Sequence, residues 1–190
     1  MQVINNNDDV LFKHLKKGST SSFNMLFTKY YQDLCSFSNL IISNQQLAEE
    51  VVADVFVKIW QKKESIDITS SVKSYLYKST KNTTISYIRK KKVEEISLDD
   101  IFNLQEENAL NPETIIIQGE TLEQIKDVLS ILPKKSKLVF QMHRFNHLKY
   151  KDIAEIMNVS VKSIEKHMSK SMKILREYKV SQEKFSTYDN

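Results

Sequence analysis

Glycine stands at only two positions of the 190-residue chain, Gly18 and Gly119, and proline at two, Pro112 and Pro133. Hairpins need residues that accept positive φ, and phosphate-cradling loops need glycine so that the backbone can approach closely. With so few of them the chain is predicted to be all-α. Its 41% hydrophobic content is enough to bury a core, and the length suits one ordinary domain or two small ones. Cys35 is the one cysteine, so no internal disulfide can form and the reducing cytoplasm is the expected compartment. No apolar run reaches the length of a signal-peptide core or a membrane span, so neither secretion nor insertion is expected.

Periodicity places the helices. Phe23, Leu26, Phe27, Tyr30, Tyr31, Leu34, Phe37 and Ile41 recur at steps of three and four, which puts one apolar stripe on a helix over 21–42. The segment 46–62 repeats the pattern through Leu47, Val51, Val55, Phe56, Ile59 and Trp60, with Glu49, Glu50 and Asp54 off the stripe. A polar loop follows over 63–71, where Ser, Thr and Asp side chains compete for the local backbone. Residues 72–92 carry a weaker stripe (Val72, Leu76, Ile85, Ile88) and three tyrosines among many cations, and are read as helix. The acid- and amide-rich stretch 94–119 has no sustained period and reads as a linker between domains over 8–93 and 120–180. Beyond it Leu122, Ile125, Leu129 and Leu132 mark a helix that must stop at Pro133, and 135–147 supply the next.

Charge is unevenly distributed. Residues 1–57, 58–92, 93–127 and 128–190 carry −2, +8, −9 and +7. Two basic blocks around an acidic connector suit two modules that each meet a polyanion.

In "KDIAEIMNVSVKSIEKHM", residues 151–168, Ile153, Ala154 and Met157 continue a short stripe from Tyr150. Asn158 is a residue type at home in the left-handed turn that ends a helix, and Ser160 is a good N-cap for the next. Val161, Ile164, Met168, Met172 and Leu175 then face a core, leaving Lys162, Ser163, Glu165, Lys166, His167, Ser169, Lys170 and Lys173 outward. Ala154 is small enough for the second helix to cross closely. This is the pattern of a helix-turn-helix, whose second helix enters the major groove. Glu165 and Lys166, near its start, are the expected base readers, and Lys170 and Lys173 the phosphate contacts. Between Lys134 and Lys179 there are 12 basic and 4 acidic residues, a balance that favours phosphate neutralisation.

Catalysis finds no support. His143 and His147 have no cysteine or carboxylate partner at metal-ligand spacing, no nucleophile and base pair stands out, and there is no glycine-rich nucleotide loop. Neither enzyme activity, metal nor cofactor is expected.

Three segments together, "AEEVVADVFVKIWQKK", "SYLYKSTKNTTISYIRKKK" and "LPKKSKLVFQMHRFNHLKYKDIAEIMNVSVKSIEKHMSKSMKILRE", resemble the successive signatures of bacterial RNA polymerase sigma factors of the extracytoplasmic-function type, in the sigma-70 family. The resemblance covers nearly the whole chain. It implies an N-terminal domain that binds core RNA polymerase and melts the −10 promoter element, a flexible linker, and a C-terminal domain that reads the −35 element. Helix 46–62 resembles the polymerase-binding helix, which implies a surface of Glu49, Glu50, Asp54, Val57, Lys58 and Gln61, with Phe56 and Trp60 in the core. The loop 63–71 and the helix after it resemble the segment that captures an unstacked base. Tyr75, Tyr77, Lys78, Lys81 and Asn82 offer the rings, amide and cations that such a base needs, and Arg89 and Lys90 would grip the duplex backbone. Periodicity leaves open which tyrosine faces outward. Implied partners are core RNA polymerase, promoter DNA and an anti-sigma factor, membrane-anchored or free. A helix-turn-helix regulator that does not join the polymerase, and a helical interaction adaptor, are the alternatives.

Overall fold

The computed structural model of the protein describes residues 8–91 and 129–186. Among these every regular element is an α-helix. The segment 94–119, with Leu122 and Ile125, lies outside the described residues. Contacts divide the chain into two units, Met1–Leu98 and Asp99–Asn190.

The first unit contains α1 (Asp8–Lys16), α2 (Thr20–Ile42), α3 (Gln45–Lys62) and α4 (Val72–Lys91). Periodicity marked no helix before residue 21, so α1 is an addition. Nine residues are too few for a helix to stand alone in water, and α1 persists by burying Leu11, Phe12 and Leu15. It ends at Gly18, whose φ of 90° lets the Gly18 and Ser19 amides reach back to the Leu15 and His14 carbonyls at 2.8 and 3.1 Å. Ser19 then caps α2 by accepting from the Ser22 amide.

α2 buries Leu26, Tyr30, Leu34, Phe37 and Ile41 along the expected stripe. Its other aromatics, Phe23, Phe27 and Tyr31, are half-buried: Tyr31 stacks on Phe27, while Phe23 and Phe27 meet Phe56 and Trp60 of α3, the Phe27 and Phe56 centroids lying 4.9 Å apart and those of Phe23 and Trp60 5.3 Å. Two residues turn the chain between these helices. Ser43 takes a left-handed φ of 53°, and Asn44 caps α3 by accepting from the Leu47 amide at 2.9 Å. α3 buries Val51, Val55, Phe56 and Ile59, together with Ala48 and Val52.

α4 departs furthest from the apolar pattern. Val72 and Leu76 are buried, but Ile85 and Ile88 only partly, and the rest of the inner face is Ser74, Tyr77, Thr80, Lys81 and Thr84. The Ser38 and Thr84 hydroxyls lie 2.9 Å apart; Thr84 donates to the Thr80 carbonyl at 2.8 Å, so Ser38 is the donor to Thr84. Tyr77 is 0% exposed, with its ring edge-on to Phe37 at 5.0 Å and its hydroxyl unpartnered.

In the second unit Leu129 and Leu132 are buried, and the chain turns at Pro133 into α5 (Lys134–Arg144), followed by α6 (Tyr150–Met157) and α7 (Val161–Ser186). The expectation that α5 runs on to His147 is corrected. The Phe145 and Asn146 amides both turn back to the Gln141 carbonyl, and His147 adopts a φ of 51°. Asn158 does end α6 in the left-handed region, at φ 58°, and Ser160 does cap α7, accepting from the Ser163 amide at 3.2 Å. Ile153, Ala154, Ile156, Met157, Ile164 and Met168 form the core. Two residues assigned to it are instead outside: Val161 is 41% and Met172 39% exposed. The position at the α5 crossing is taken instead by buried Ser171, next to Met172. The Ser171 hydroxyl hydrogen is shared between the His167 carbonyl of its own helix at 3.0 Å and the Ser136 carbonyl of α5 at 3.3 Å. A serine lets the two helices approach where methionine would hold them apart.

The unpartnered Tyr77 hydroxyl yields a stability expectation. Tyr77→Phe should hold or raise the free energy of unfolding by up to about 1–2 kcal/mol, because a buried unsatisfied hydroxyl costs that much. Phe37→Ala, which removes the ring Tyr77 packs on, should lower it by about 3–5 kcal/mol. Urea denaturation of the full chain measures both; a clear loss on Tyr77→Phe would mean that the hydroxyl has a partner.

Candidate nucleic-acid interface

The face of α7 away from the core carries most of the expected contacts. Lys162, Glu165, Lys166, Lys170 and Lys173 are exposed, and Ser163 is half-buried beside the Ser160 cap. Helical geometry requires this arrangement once Ile164, Met168 and Ser171 are fixed inward. Glu165 is not alone among the cations. With Ser169 and Lys173 it lines a groove of about 400 Å³ that also takes in Arg144, Tyr150, Met168, Met172 and Arg176. Arg176 continues the Glu165, Ser169, Lys173 row and was readable from spacing. Arg144 comes from α5, so only the fold brings it there.

His167 was expected to face outward with the lysines, and this is corrected. Its ring is half-buried against α5, with Nδ1 3.1 Å from the Ser136 hydroxyl. Burial lowers its pKa, and the charges of Lys135, Lys170 and Lys166 lower it further. The other two histidines of this unit support the turn after α5. His143 pairs with the Leu148 carbonyl at 3.0 Å and packs on Tyr150, while exposed His147 occupies the left-handed position. Among the described residues no group of three or more His, Cys, Asp or Glu is placed to hold a metal ion.

On α4 the structure separates the two tyrosines that periodicity could not. Tyr77 is a core residue, 0% exposed, and has no face open to stack on a base, contrary to its expected place among the DNA contacts. Tyr75 is partly exposed, its ring edge-on to Phe12 of α1 at 6.4 Å. Lys78, Asn82, Arg89 and Lys90 are exposed along the helix. Lys81, expected among the DNA contacts, is only 7% exposed, and desolvation followed by the nearby Lys78 charge lowers its pKa. It lies beneath the surface that Lys78 and Asn82 present.

On α3, Glu49, Glu50, Lys58 and Gln61 are exposed, and Val57, at 51%, is the most exposed large apolar side chain described. Asp54 differs from its neighbours. It accepts a hydrogen bond from the Tyr87 hydroxyl of α4, which, with burial and the charges of Asp54 and Glu50, pushes the tyrosine up to about 12. The expected polymerase surface and the expected DNA helix thus share a hydrogen bond.

Two helical units, one with a cation-faced helix-turn-helix and one whose last helix presents cations, an amide and an accessible ring, define a two-part DNA-binding protein. The sequence matches the family model for sigma-70 region 2 over residues 26–94 and that for sigma-70 region 4 over residues 122–175. It is 24% identical over 176 residues to the ECF RNA polymerase sigma-E factor of Haemophilus influenzae, covering 88% of this chain and 93% of that one. To the ECF RNA polymerase sigma factor SigW of Bacillus subtilis it is 23% identical over 172 residues, covering 86% and 92%. The sigma factor RpoE of Bartonella quintana, solved in complex with the anti-sigma factor NepR, superposes with a TM-score of 0.59 at 21% identity, covering 83% of this chain and 96% of that chain. The chain belongs to the sigma-70 family, among the ECF RNA polymerase sigma factors.

The seat of His167 gives a pH expectation. With its pKa lowered in the fold, the neutral ring is the favoured form. Its contribution to stability is complete above about 6.5, the ordinary value, and is lost as pH falls through the lowered folded value. NMR titration of the histidine resonances should place His167 below 6.5, and Lys170→Gln should move it upward. A midpoint at or above 6.5 would put the ring in solvent rather than against Ser136.

Proposed function

We propose that this ECF sigma factor divides its task between a unit over residues 8–93, which docks on core RNA polymerase and opens the −10 element, and one over residues 120–180, which reads the −35 element. One observation carries the reading: regions 2 and 4 occur in order in a single chain, and each coincides with a helical unit that exposes a cationic helix face. A regulator that does not join the polymerase would have no use for the first of these.

The residue assignments follow from exposure and chemistry. Tyr75 stacks on a base that has left the duplex, a contact worth about 1–3 kcal/mol that exists only after melting. Asn82 supplies hydrogen bonds to its edge and Lys78 a cation beside it. Arg89 and Lys90 hold backbone phosphates without reading sequence. Glu49, Glu50, Val57, Lys58 and Gln61 form the open part of the polymerase surface, with Asp54 at its border. In the major groove Glu165 and Lys166 meet base edges, while Lys162, Lys170 and Lys173 meet phosphates. A carboxylate is repelled by phosphate, so Glu165 adds specificity through a cytosine amino group rather than affinity. The cations that share its groove make that position tolerable.

The chain supplies no bond-making chemistry and needs no cofactor; its partners carry out the reaction. It acts in the cytoplasm, where polymerase and chromosome are. An anti-sigma factor, membrane-anchored or free, is the expected inhibitor, and the similar RpoE structure with NepR supports a partner of this kind.

The primary test is transcription from a defined promoter by core polymerase with and without the purified chain; no stimulation would overturn the reading. For the −35 contacts, binding selection on randomised duplexes should show that Glu165→Gln changes the preference at one position. Lys170→Ala should leave preference unaltered and reduce the slope of log affinity against log salt by about one. The opposite pattern would mean that α7 is rotated in the groove.

A further inference from the structure

α1 has no role in the assignments above, yet it is anchored along its whole length. At its start Asp8 accepts hydrogen bonds from Lys29 and Tyr30 of α2. In its middle Phe12 is buried and meets the edge of the Tyr75 ring. At its end Lys16 Nζ donates to the Ile66 carbonyl at 2.8 Å.

Ile66 lies inside the loop 63–71. The near end of that loop is held by Ser65, whose amide and hydroxyl both donate to the Lys62 carbonyl. Its far end is held by Ser71, which caps α4 by accepting from the Ser74 amide at 3.1 Å. The bond that reaches the stretch between them comes from Lys16. It is a charge-assisted bond to a carbonyl, of the stronger kind, in a part-buried setting. The same short helix therefore touches both elements assigned to base capture, the loop through Lys16 and the stacking ring through Phe12.

We propose that Lys16 is a positioning residue for promoter opening: by fixing the Ile66 carbonyl it holds loop 63–71 in register with Tyr75, so that an unstacked base enters a preformed site. The inference rests on the reading of this loop and α4 as the base-capturing segment. A preorganised loop binds without the ordering cost that a free one meets at the moment of capture. Loss of the pin should therefore appear in melting and not in the earlier steps.

The experiment uses the full chain with core polymerase and a promoter that carries 2-aminopurine in the −10 element. Three quantities are read for each variant: affinity for core polymerase, affinity for the closed promoter, and the fluorescence of melting. Lys16→Met, which keeps the aliphatic stem and removes the donor, should lower the melting equilibrium about tenfold, the value of a hydrogen bond to a charged group, with the two affinities unchanged. Lys16→Arg should restore melting. On a template already unpaired in the −10 element, Lys16→Met should still bind more weakly, because the base-capturing site itself is loosened. The inference falls if Lys16→Met melts the promoter as the native chain does, if core and closed-promoter affinities drop with melting, or if Lys16→Arg fails to rescue. A native chain that opens no promoter would overturn the functional reading first and the inference with it, before any variant is compared.

Discussion

Every helix of the first unit packs against α2. α1, α3 and α4 all contact it, so α2 must offer a surface to three partners rather than the single stripe of an ordinary amphipathic helix. Its sequence does so with different chemistry on each side. Aliphatic and aromatic core residues run along the middle, Phe23 and Phe27 meet α3 with Tyr31 stacked behind them on Phe27, and Ser38 meets the Thr84 hydroxyl of α4. The aromatic row adds edge-on and stacked contacts to the area it buries, of order 0.5–1.5 kcal/mol each. With α2 so committed, the outer faces of α3 and α4 remain open for partners.

Both units use hydroxyls where helices cross closely. Ser38 and Thr84 pair between α2 and α4, and Ser171 reaches the Ser136 carbonyl between α5 and α7. A small polar side chain at a crossing admits the neighbouring backbone, and its hydrogen bond returns about 1 kcal/mol net when the group is fully satisfied. The same device accounts for the least comfortable part of the core. In α4, Tyr77 and Thr80 bury hydroxyl oxygens without partners, and Lys81 lies nearly covered. α4 is thus bound to its unit less by apolar burial than α3 is.

This is also why the sequence was legible in some places and opaque in others. α2 and α3 were readable because their buried positions are large and apolar at steps of three and four. The caps Asn158 and Ser160 were readable because positive φ and an accepting side chain select residue types directly. In α4 the inner face is serine, threonine, tyrosine and lysine, so no hydropathy pattern distinguishes inside from outside: Tyr77 could not be told from Tyr75, and Lys81 reads as a surface cation although it is nearly covered. Met172 was misplaced for the converse reason: an apolar residue stands where the register alone suggested core, but the close α5 approach selects Ser171 next to it. α1 is shorter than the window over which periodicity becomes visible, and the Lys16 bond to Ile66 is tertiary, with no local signature. Arg144 joins the Glu165 groove from another helix, for which spacing along one element carries no information.

The hydrogen bond between Tyr87 and Asp54 ties one carboxylate to both proposed surfaces, that for polymerase and that for DNA. Substitutions at these two positions should not combine independently, since removing either partner changes the electrostatic setting of the other. In genetic terms, under the proposed assignments, the pair would behave as a single locus: a screen for loss of polymerase association would recover Tyr87, on the helix proposed to meet DNA, and suppressors of an Asp54 defect would map to α4 as readily as to the polymerase. An alignment of relatives should accordingly show the two positions changing together, a tyrosine kept only where an acceptor faces it.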